Sequence, residues 1–537
     1  MKKTINKGVF IPSIVILGLA GLYGFIDGEH FSELAHGAFS WILQNFGWLF
    51  QTLSMICLFT VIALFVSKKG DIRFGGTQAK ARFSFMSWFA MTLAGGIATG
   101  IVLWGVNEPI VLFENIWGEL DGYGITPGTM EASIFAMGRI FYHWTFIPYA
   151  MYSLAGVLMA YLYFNKGYDL RVSETLRPIV GSLADNKIFC SVVDTVSLLA
   201  IALGLASSMG GGITFISAGL LHQYGIPQGP VVWTIITLVI TVIFIFSSYR
   251  GLDSGIKFFA NLNTYIYFGL LILIFLIGNI PYILSLSATS FGHWLDNFFA
   301  WGFDSGFVSE YQLDASIGGS AAVQWWTLYN WAIWIAYAPL MSIFLGIIAY
   351  GRTIREFLVV NWILPSVFGL IWFSIFGITA IYWQSTGQVD IAGAIRESGA
   401  VAGMWAFMSN VNIFGFYIAP FIVPLMIIVL IISFATAADG MTTSIAILSS
   451  HGTSFGDENQ EPAGWLKILW GSTISLIALS LIIFVGGVQG IDGIKFTAAA
   501  GGFAVLLVFV GQVISLYKEL FILTPTLTGF NREQDHE

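Results

Sequence analysis

The chain has 537 residues, of which 57% are hydrophobic and 10% charged, with a formal net charge of −8. Its mean hydropathy is +0.81. A soluble globular protein carries roughly 25% charged residues, so the composition excludes a soluble domain and indicates an all-α polytopic membrane protein. Cys57 and Cys190 fall in apolar segments, which argues against a disulfide framework or a metal site. The seven histidines are scattered and do not form the clusters a membrane enzyme would need. No cofactor, metal or nucleic-acid partner is expected.

The chain begins Met1-Lys2-Lys3-Thr4-Ile5-Asn6-Lys7, like a signal n-region. The apolar stretch that follows lacks a small-residue cleavage site and is long enough to span, so it is read as the first helix. Twelve spans of about 20 residues or longer are predicted near 9–27, 47–67, 86–110, 133–163, 189–219, 230–247, 257–281, 323–350, 357–382, 417–449, 464–486 and 497–517. Segment 286–303 reads as an amphipathic helix lying on the surface. The chain therefore divides into two leading helices (1–85), a first five-helix unit (86–281), a connection (282–322), a second five-helix unit (323–517) and a tail (518–537).

With the N-terminus cytoplasmic, all of the 22 basic residues except Arg139, Arg396 and Lys495 fall on the inside. The outer loops carry acids such as Asp27, Glu29, Glu114, Glu119, Asp121, Asp304, Glu310 and Asp314. This is the positive-inside pattern, and it places both termini in the cytoplasm of a cell (inner) membrane protein.

Two spans carry interruptions. One holds Ala94-Gly95-Gly96-Ile97-Ala98-Thr99-Gly100; the other holds Pro339, which lacks a backbone donor. If the two five-helix units correspond, both breaks fall in the first helix of a unit, the pattern that marks a mid-membrane transport site. Close helix packing explains the glycines equally well. The second span also carries Trp325, Trp326, Tyr329, Trp331, Trp334 and Tyr337. An interfacial belt accounts for Trp325 and Trp326. Trp331, Trp334 and Tyr337 run on toward mid-membrane, where aromatic faces either bind a cation or pack.

Three stretches are similar to the betaine/carnitine/choline transporter family: Gly100–Pro109, His143-Trp144 with Tyr149 and Tyr152, and Trp331–Tyr337 followed by Gly351-Arg352-Thr353-Ile354-Arg355-Glu356. The resemblance covers nearly the whole chain. It implies a leucine-transporter-like 5+5 inverted repeat preceded by two helices, and a homotrimer. It also implies an aromatic box for a trimethylammonium group on Trp144, Tyr149, Tyr152 and Trp334. Trp331, Tyr337 and Met341 are implied near the central site, with Gly96, Ile97, Thr99 and Gly100 on the interrupted helix. Ile333 departs from the family, where a further Trp is common.

The same resemblance bears on ions. Sodium-coupled members supply hydroxyls where this chain has Ile201 and Leu205, and a Thr-Ser pair where it has Thr436-Ala437. Met341 matches the sodium-independent carnitine/γ-butyrobetaine exchanger, but Asn263 stands where that exchanger has an arginine. Sodium-independent exchange is expected, with proton coupling open. Thr99 and Gly100 occupy the place where choline carriers often have an acid, so a zwitterion such as glycine betaine or carnitine is expected rather than choline.

Glu108 and Arg139 are expected to form a structural ion pair. Asp194 and Asp439 are expected to pair with, or cap, nearby Lys or Arg, and His143 is expected to be a packing or hydrogen-bonding residue. A ligand-binding sensor is the alternative of another class. The absence of a long charged tail favours a metabolic role over osmoprotection.

Overall fold

The computed structural model describes residues 5–96, 98–121, 123–250, 255–306, 321–413, 415–451, 462–484 and 488–523. Ile97 and Arg532 lie outside the described residues, as do the side chains of Thr99, Arg250 and Lys495.

Helix α1 (Lys7–Ile26) starts at Asn6, whose side chain accepts the Gly8 N–H. Helix α2 (Gly28–Val66) is 39 residues long. At 1.5 Å per residue it reaches about 58 Å, nearly twice the roughly 30 Å hydrocarbon core. The expected start at 47 is therefore late by about five turns of helix: the stretch containing His30, Glu33 and His36 is polar but keeps helical geometry. Over the single span expected at 86–110 the described residues form α3 (Phe85–Gly96) and α4 (Ala98–Phe113).

The span expected over 133–163 is also divided. Helix α5 (Met130–Trp144) stops at Thr145, whose backbone leaves helical geometry at φ −123°, ψ −121°. Helix α6 (Phe146–Lys166) restarts at once, with Pro148 in its first turn where the missing N–H costs no intrahelical bond. There follow α7 (Lys187–Tyr224), α8 (Pro230–Arg250), α9 (Lys257–Ile277) and α10 (Ile280–Phe303), the last covering the expected amphipathic segment.

A π-helical stretch, Ala321–Leu328, leads into α11 (Tyr329–Ile347). The break expected at Pro339 is absent: α11 runs through it. A proline deprives only one carbonyl of its intrahelical donor, and transmembrane helices tolerate that where neighbours compensate. The carbonyl deprived here is that of Ile335, one turn back; the Ser342 hydroxyl donates to the Pro339 carbonyl and adds a local bond beyond the ring. The irregularity lies one end earlier, in the wider turns of Ala321–Leu328.

Helix α12 (Leu364–Ser385) is entered through a short helix at Ile354–Leu358, capped by a reciprocal Thr353–Glu356 pair. Then come α13 (Ile391–Ser398), α14 (Ala400–Ser409), α15 (Ala419–Leu448), α16 (Gly464–Phe484) and α17 (Val488–Leu516). Among the described residues, 11 helices are long and apolar enough to cross a membrane; Gly100–Phe113 is apolar but shorter.

Helix α11 is the hub. It packs against α6, α7, α15 and α17, while α4 packs against α5 and α12. Exposed Leu, Ile, Val and Phe cover the outer helices, for example Ile235, Leu238 and Val242 on α8. Such a surface suits lipid, and the buried aromatic residues are concentrated where α4, α5, α6, α11 and α12 meet.

Candidate functional site

The site begins at the α5–α6 break. Trp144 is the last helical residue of α5, and the Thr145 hydroxyl donates back to the Phe141 carbonyl, which closes that helix end. Five residues on, Tyr149 and Tyr152 share one face of α6 by their i, i+3 spacing. Both turn toward Trp334 of α11. The Tyr149 and Trp334 rings meet edge-on at 5.4 Å and 80°. Those of Tyr152 and Trp334 lie 4.6 Å apart, tilted by 52°. All three rings are buried, and the Tyr149 hydroxyl has no hydrogen-bond partner. A buried hydroxyl without a partner costs free energy, and it leaves a polar group available to a ligand.

Trp144 stands slightly apart from this trio. Its ring lies 5.7 Å from Phe373 of α12. The backbone of α4 presses on its other side: a Cβ added to Gly100 would fall 2.8 Å from the indole Cη2. Glycine is thus required there by close approach of backbone to ring. The indole Nε1–H donates to Glu108 Oε2 at 2.6 Å.

Tyr337 lies two turns of helix beyond Tyr329 on α11. Its ring covers Gly204 of α7, and its hydroxyl pairs with Ser208 Oγ at 3.2 Å. Met341 is fully buried one turn further on. Trp331 goes elsewhere. Its Nε1–H donates to Gln51 Oε1 of α2 at 2.7 Å, and its ring packs on Tyr142 and His143. The structure thus joins Trp331 to the α2–α5 interface and not to the Tyr149–Tyr152–Trp334 cluster. Trp325 stacks on His36, and Trp326 donates its indole N–H to Glu119 at 3.1 Å. Burial pushes the Glu119 carboxyl up from the usual range, and the Trp117 and Trp326 donors pull against that.

The expected Glu108–Arg139 pair does not form. Both oxygens of Glu108 are engaged by the neighbouring residues of the α5 end: Oε2 by Trp144, and Oε1 by His143 Nδ1 at 2.6 Å. His143 Nε2 in turn meets Thr327 Oγ1 at 2.8 Å. Arg139 is a full turn earlier and points to α10. Its guanidinium lies 4.4 Å from the Trp301 ring centroid and donates to the Tyr123 hydroxyl at 2.7 Å. Cation–π stacking here stands in for a carboxylate. The Asp194 and Asp439 expectations hold: Asp194 meets Arg171 at 3.1 Å and Asp439 meets Lys467 at 3.0 Å.

The positions matched to sodium sites present few free oxygens. Ile201 and Leu205 are buried on α7. The Thr436 hydroxyl donates to the Ile432 carbonyl at 2.8 Å, and Ala437 is half-buried beside it. Asn263 donates from Nδ2 to Ser433 Oγ at 2.7 Å, and the Tyr267 hydroxyl joins the same Ser433.

Sequence reasoning missed Thr327, Phe373, Gly204, Ser208 and Gln51. A buried Glu beside a His-Trp pair signals that donors converge on it. The identity of the third partner, Thr327, depends on how α11 packs, which local sequence does not encode.

The profile of betaine/carnitine/choline family transporters matches residues 8–522. The chain is 30% identical over 516 residues to a probable glycine betaine transporter of Desulfitobacterium hafniense, covering 96% of this chain and 97% of that one. It is 28% identical over 521 residues to an ectoine/hydroxyectoine transporter of Virgibacillus pantothenticus, covering 95% and 96%. With a high-affinity choline transport protein of Escherichia coli it shares 26% identity over 540 residues, covering 99% of this chain and 74% of the relative.

Proposed function

Because the chain belongs to the betaine/carnitine/choline transporter family, a family of membrane transporters and not of enzymes, we propose that it moves quaternary-ammonium zwitterions of the glycine betaine, carnitine or γ-butyrobetaine type by alternating access. The observation that carries this reading is the Tyr149–Tyr152–Trp334 cluster, with Trp144 at the adjoining helix break. Three buried aromatic rings from two helices offer π faces to a trimethylammonium group, which cannot hydrogen-bond and is held by such faces. The unpartnered Tyr149 hydroxyl offers an O–H donor that suits the carboxylate of a zwitterion.

The mode is sodium-independent exchange of substrate for substrate. This is supported by Ile201, Leu205 and Ala437, whose side chains lack oxygen, and by Met341, whose thioether fills volume without being a ligand for a hard cation. Both termini lie in the cytoplasm, from the distribution of Lys and Arg, and the assembly is a homotrimer, by family resemblance.

Purified protein in liposomes tests this. Labelled glycine betaine should enter liposomes preloaded with unlabelled glycine betaine or carnitine, and stay out of empty ones, at equal rates in sodium and potassium buffers. Uptake of none of these substrates, with uptake of choline or ectoine instead, would overturn the substrate class. Uptake into empty liposomes driven by a sodium gradient would overturn the mode.

A further inference from the structure

Glu108, His143 and Thr327 come from three different helices and form one chain of contacts ending at Trp144. The steps are Thr327 Oγ1 to His143 Nε2 at 2.8 Å, His143 Nδ1 to Glu108 Oε1 at 2.6 Å, and Trp144 Nε1 to Glu108 Oε2 at 2.6 Å. Glu108, His143 and Thr327 are each no more than 1% exposed. A second contact of Thr327 decides how many protons the chain holds: its hydroxyl also lies 3.3 Å from the Ala322 carbonyl, within the π-helical turn.

A hydroxyl has one hydrogen. If Thr327 donates it to Ala322, then His143 must donate from Nε2 to Thr327. The Nδ1–Glu108 contact then needs a proton of its own, on either the imidazole or the carboxyl, and the network is neutral overall. If instead Thr327 turns its hydrogen to His143 Nε2, the imidazole is neutral with its proton on Nδ1, donated to an ionised Glu108. The network then carries one negative charge. The two arrangements differ by one proton and by rotation of one hydroxyl, and every polar atom is satisfied in both.

We propose that Glu108, His143 and Thr327 form a proton-binding site linked to the substrate cage through the Trp144 indole. This rests on the reading that the cage takes a trimethylammonium cation. Such a cation beside Trp144 favours the arrangement with net charge −1, both by direct attraction and because an indole that donates to a carboxylate presents a more negative face. Substrate and proton therefore compete, and binding of the cation expels the proton.

The surroundings fit a network that changes charge. Arg139 is one turn away on the same helix, tied to Tyr123 and Trp301, and it balances the deprotonated form. Tyr142 is bonded to Gln51 and to the Trp301 carbonyl. Glu119 is held by the indole of Trp326, the residue before Thr327. Helix α12 offers Phe373, and α11 offers Trp331.

Isothermal titration of the purified full chain with glycine betaine between pH 5.5 and 8.5 reads the linkage directly. The quaternary nitrogen does not titrate and the ligand's carboxylate stays ionised throughout. Affinity should fall as the pH falls, by up to about tenfold per pH unit, the limit for one linked proton. Repeating the titration in buffers of different ionisation enthalpy should show close to one proton released per substrate at the acid end. Glu108→Gln and, independently, His143→Gln should each flatten the pH dependence and abolish proton release while retaining measurable binding. A flat wild-type profile with no proton release overturns this inference and leaves the substrate reading intact. Persistence of the full slope in both variants overturns it as well. No binding to the wild type at any pH overturns the two together.

Discussion

The chain buries carboxylates in two regions and treats them differently. At the Lys467 end of the bundle, Asp439 is ion-paired with Lys467 at 3.0 Å and accepts from Ser247 at 2.6 Å, and Asp194 accepts from Arg171 and from the Ser173 backbone and hydroxyl. Each of these acids faces a permanent cation. At the aromatic end, Glu108 faces an indole and an imidazole, and the nearby guanidinium of Arg139 is turned to Trp301. The first arrangement fixes both charge and geometry and so ties helices together. The second leaves the charge variable beside the site where a cation is expected to sit. A buried charge is informative through the kind of partner it finds, and not through burial alone.

The largest expected effect lies at the fixed end. Asp439→Ala strands Lys467, which is 1% exposed, and should destabilise the protein by about 3–5 kcal/mol. Thermal unfolding in detergent would show it, and the double variant Asp439→Asn with Lys467→Met should recover most of the loss, since replacing both charges removes the uncompensated one. Recovery in neither stability nor yield would mean that this pair has a role beyond tying α15 to α16.

The aromatic end should respond in binding rather than in stability. Trp334→Leu removes the ring that both Tyr149 and Tyr152 contact and should weaken glycine betaine binding more than tenfold, about 1.4 kcal/mol, within the range of a desolvated cation–π contact. Trp331→Phe keeps an aromatic ring against Tyr142 but loses the hydrogen bond to Gln51 and part of the indole's volume. It should cost about 1 kcal/mol of stability and leave affinity within about twofold. Equal losses of affinity in the two variants would erase the distinction the geometry draws between these neighbours.

That distinction was only partly legible in the sequence. The family resemblance marked Tyr149, Tyr152 and Trp334, because the motifs that carry it include these residues. The resemblance set Trp331 near the central site, whereas its actual destination depends on α2 arriving alongside with Gln51. The Asp439 and Asp194 pairs were readable because inside Lys and Arg were abundant. The Glu108–Arg139 pair was misassigned for the converse reason: opposite charges near one membrane depth suggest contact, but Trp144 and His143 are the residues at the end of α5 and reach Glu108 first. The glycine interruption expected near 97 falls on a residue outside the described ones; the helix break at Thr145 was not anticipated, because Thr145 carries no proline or glycine signal of its own.

A smaller effect is expected at Gly100. An added methyl would lie 2.8 Å from Trp144 Cη2, closer than packing allows, and overfilling of this kind costs on the order of 1–3 kcal/mol. Part of that can be relieved by a shift of the indole away from Glu108, so Gly100→Ala should weaken glycine betaine binding several-fold. Gly440→Ala is the control: its methyl would meet Phe344 at an ordinary 3.5 Å and should leave binding unchanged. Similar losses at both would show that the sensitivity is general to buried glycines and not to the one against Trp144.

The last comparison predicts no effect at all. A sodium ion is a hard cation that needs several oxygen ligands. Around the matched positions, Ile201 and Leu205 offer none, and the Thr436 hydroxyl already donates to the Ile432 carbonyl one turn back, as mid-helix threonines commonly do. Donating that hydrogen leaves the Thr436 lone pairs open to a cation, but one hydroxyl does not replace the missing ligands of α7. Replacing sodium by potassium should therefore leave the apparent affinity for glycine betaine within about twofold, and Thr436→Ala should behave like the wild type in both salts. A steep dependence on sodium that disappears in Thr436→Ala would falsify this and show that backbone carbonyls with one hydroxyl suffice to hold the ion. The proton site at Glu108 would then be a second linkage beside the sodium one, separable from it because its pH dependence would survive the loss of Thr436.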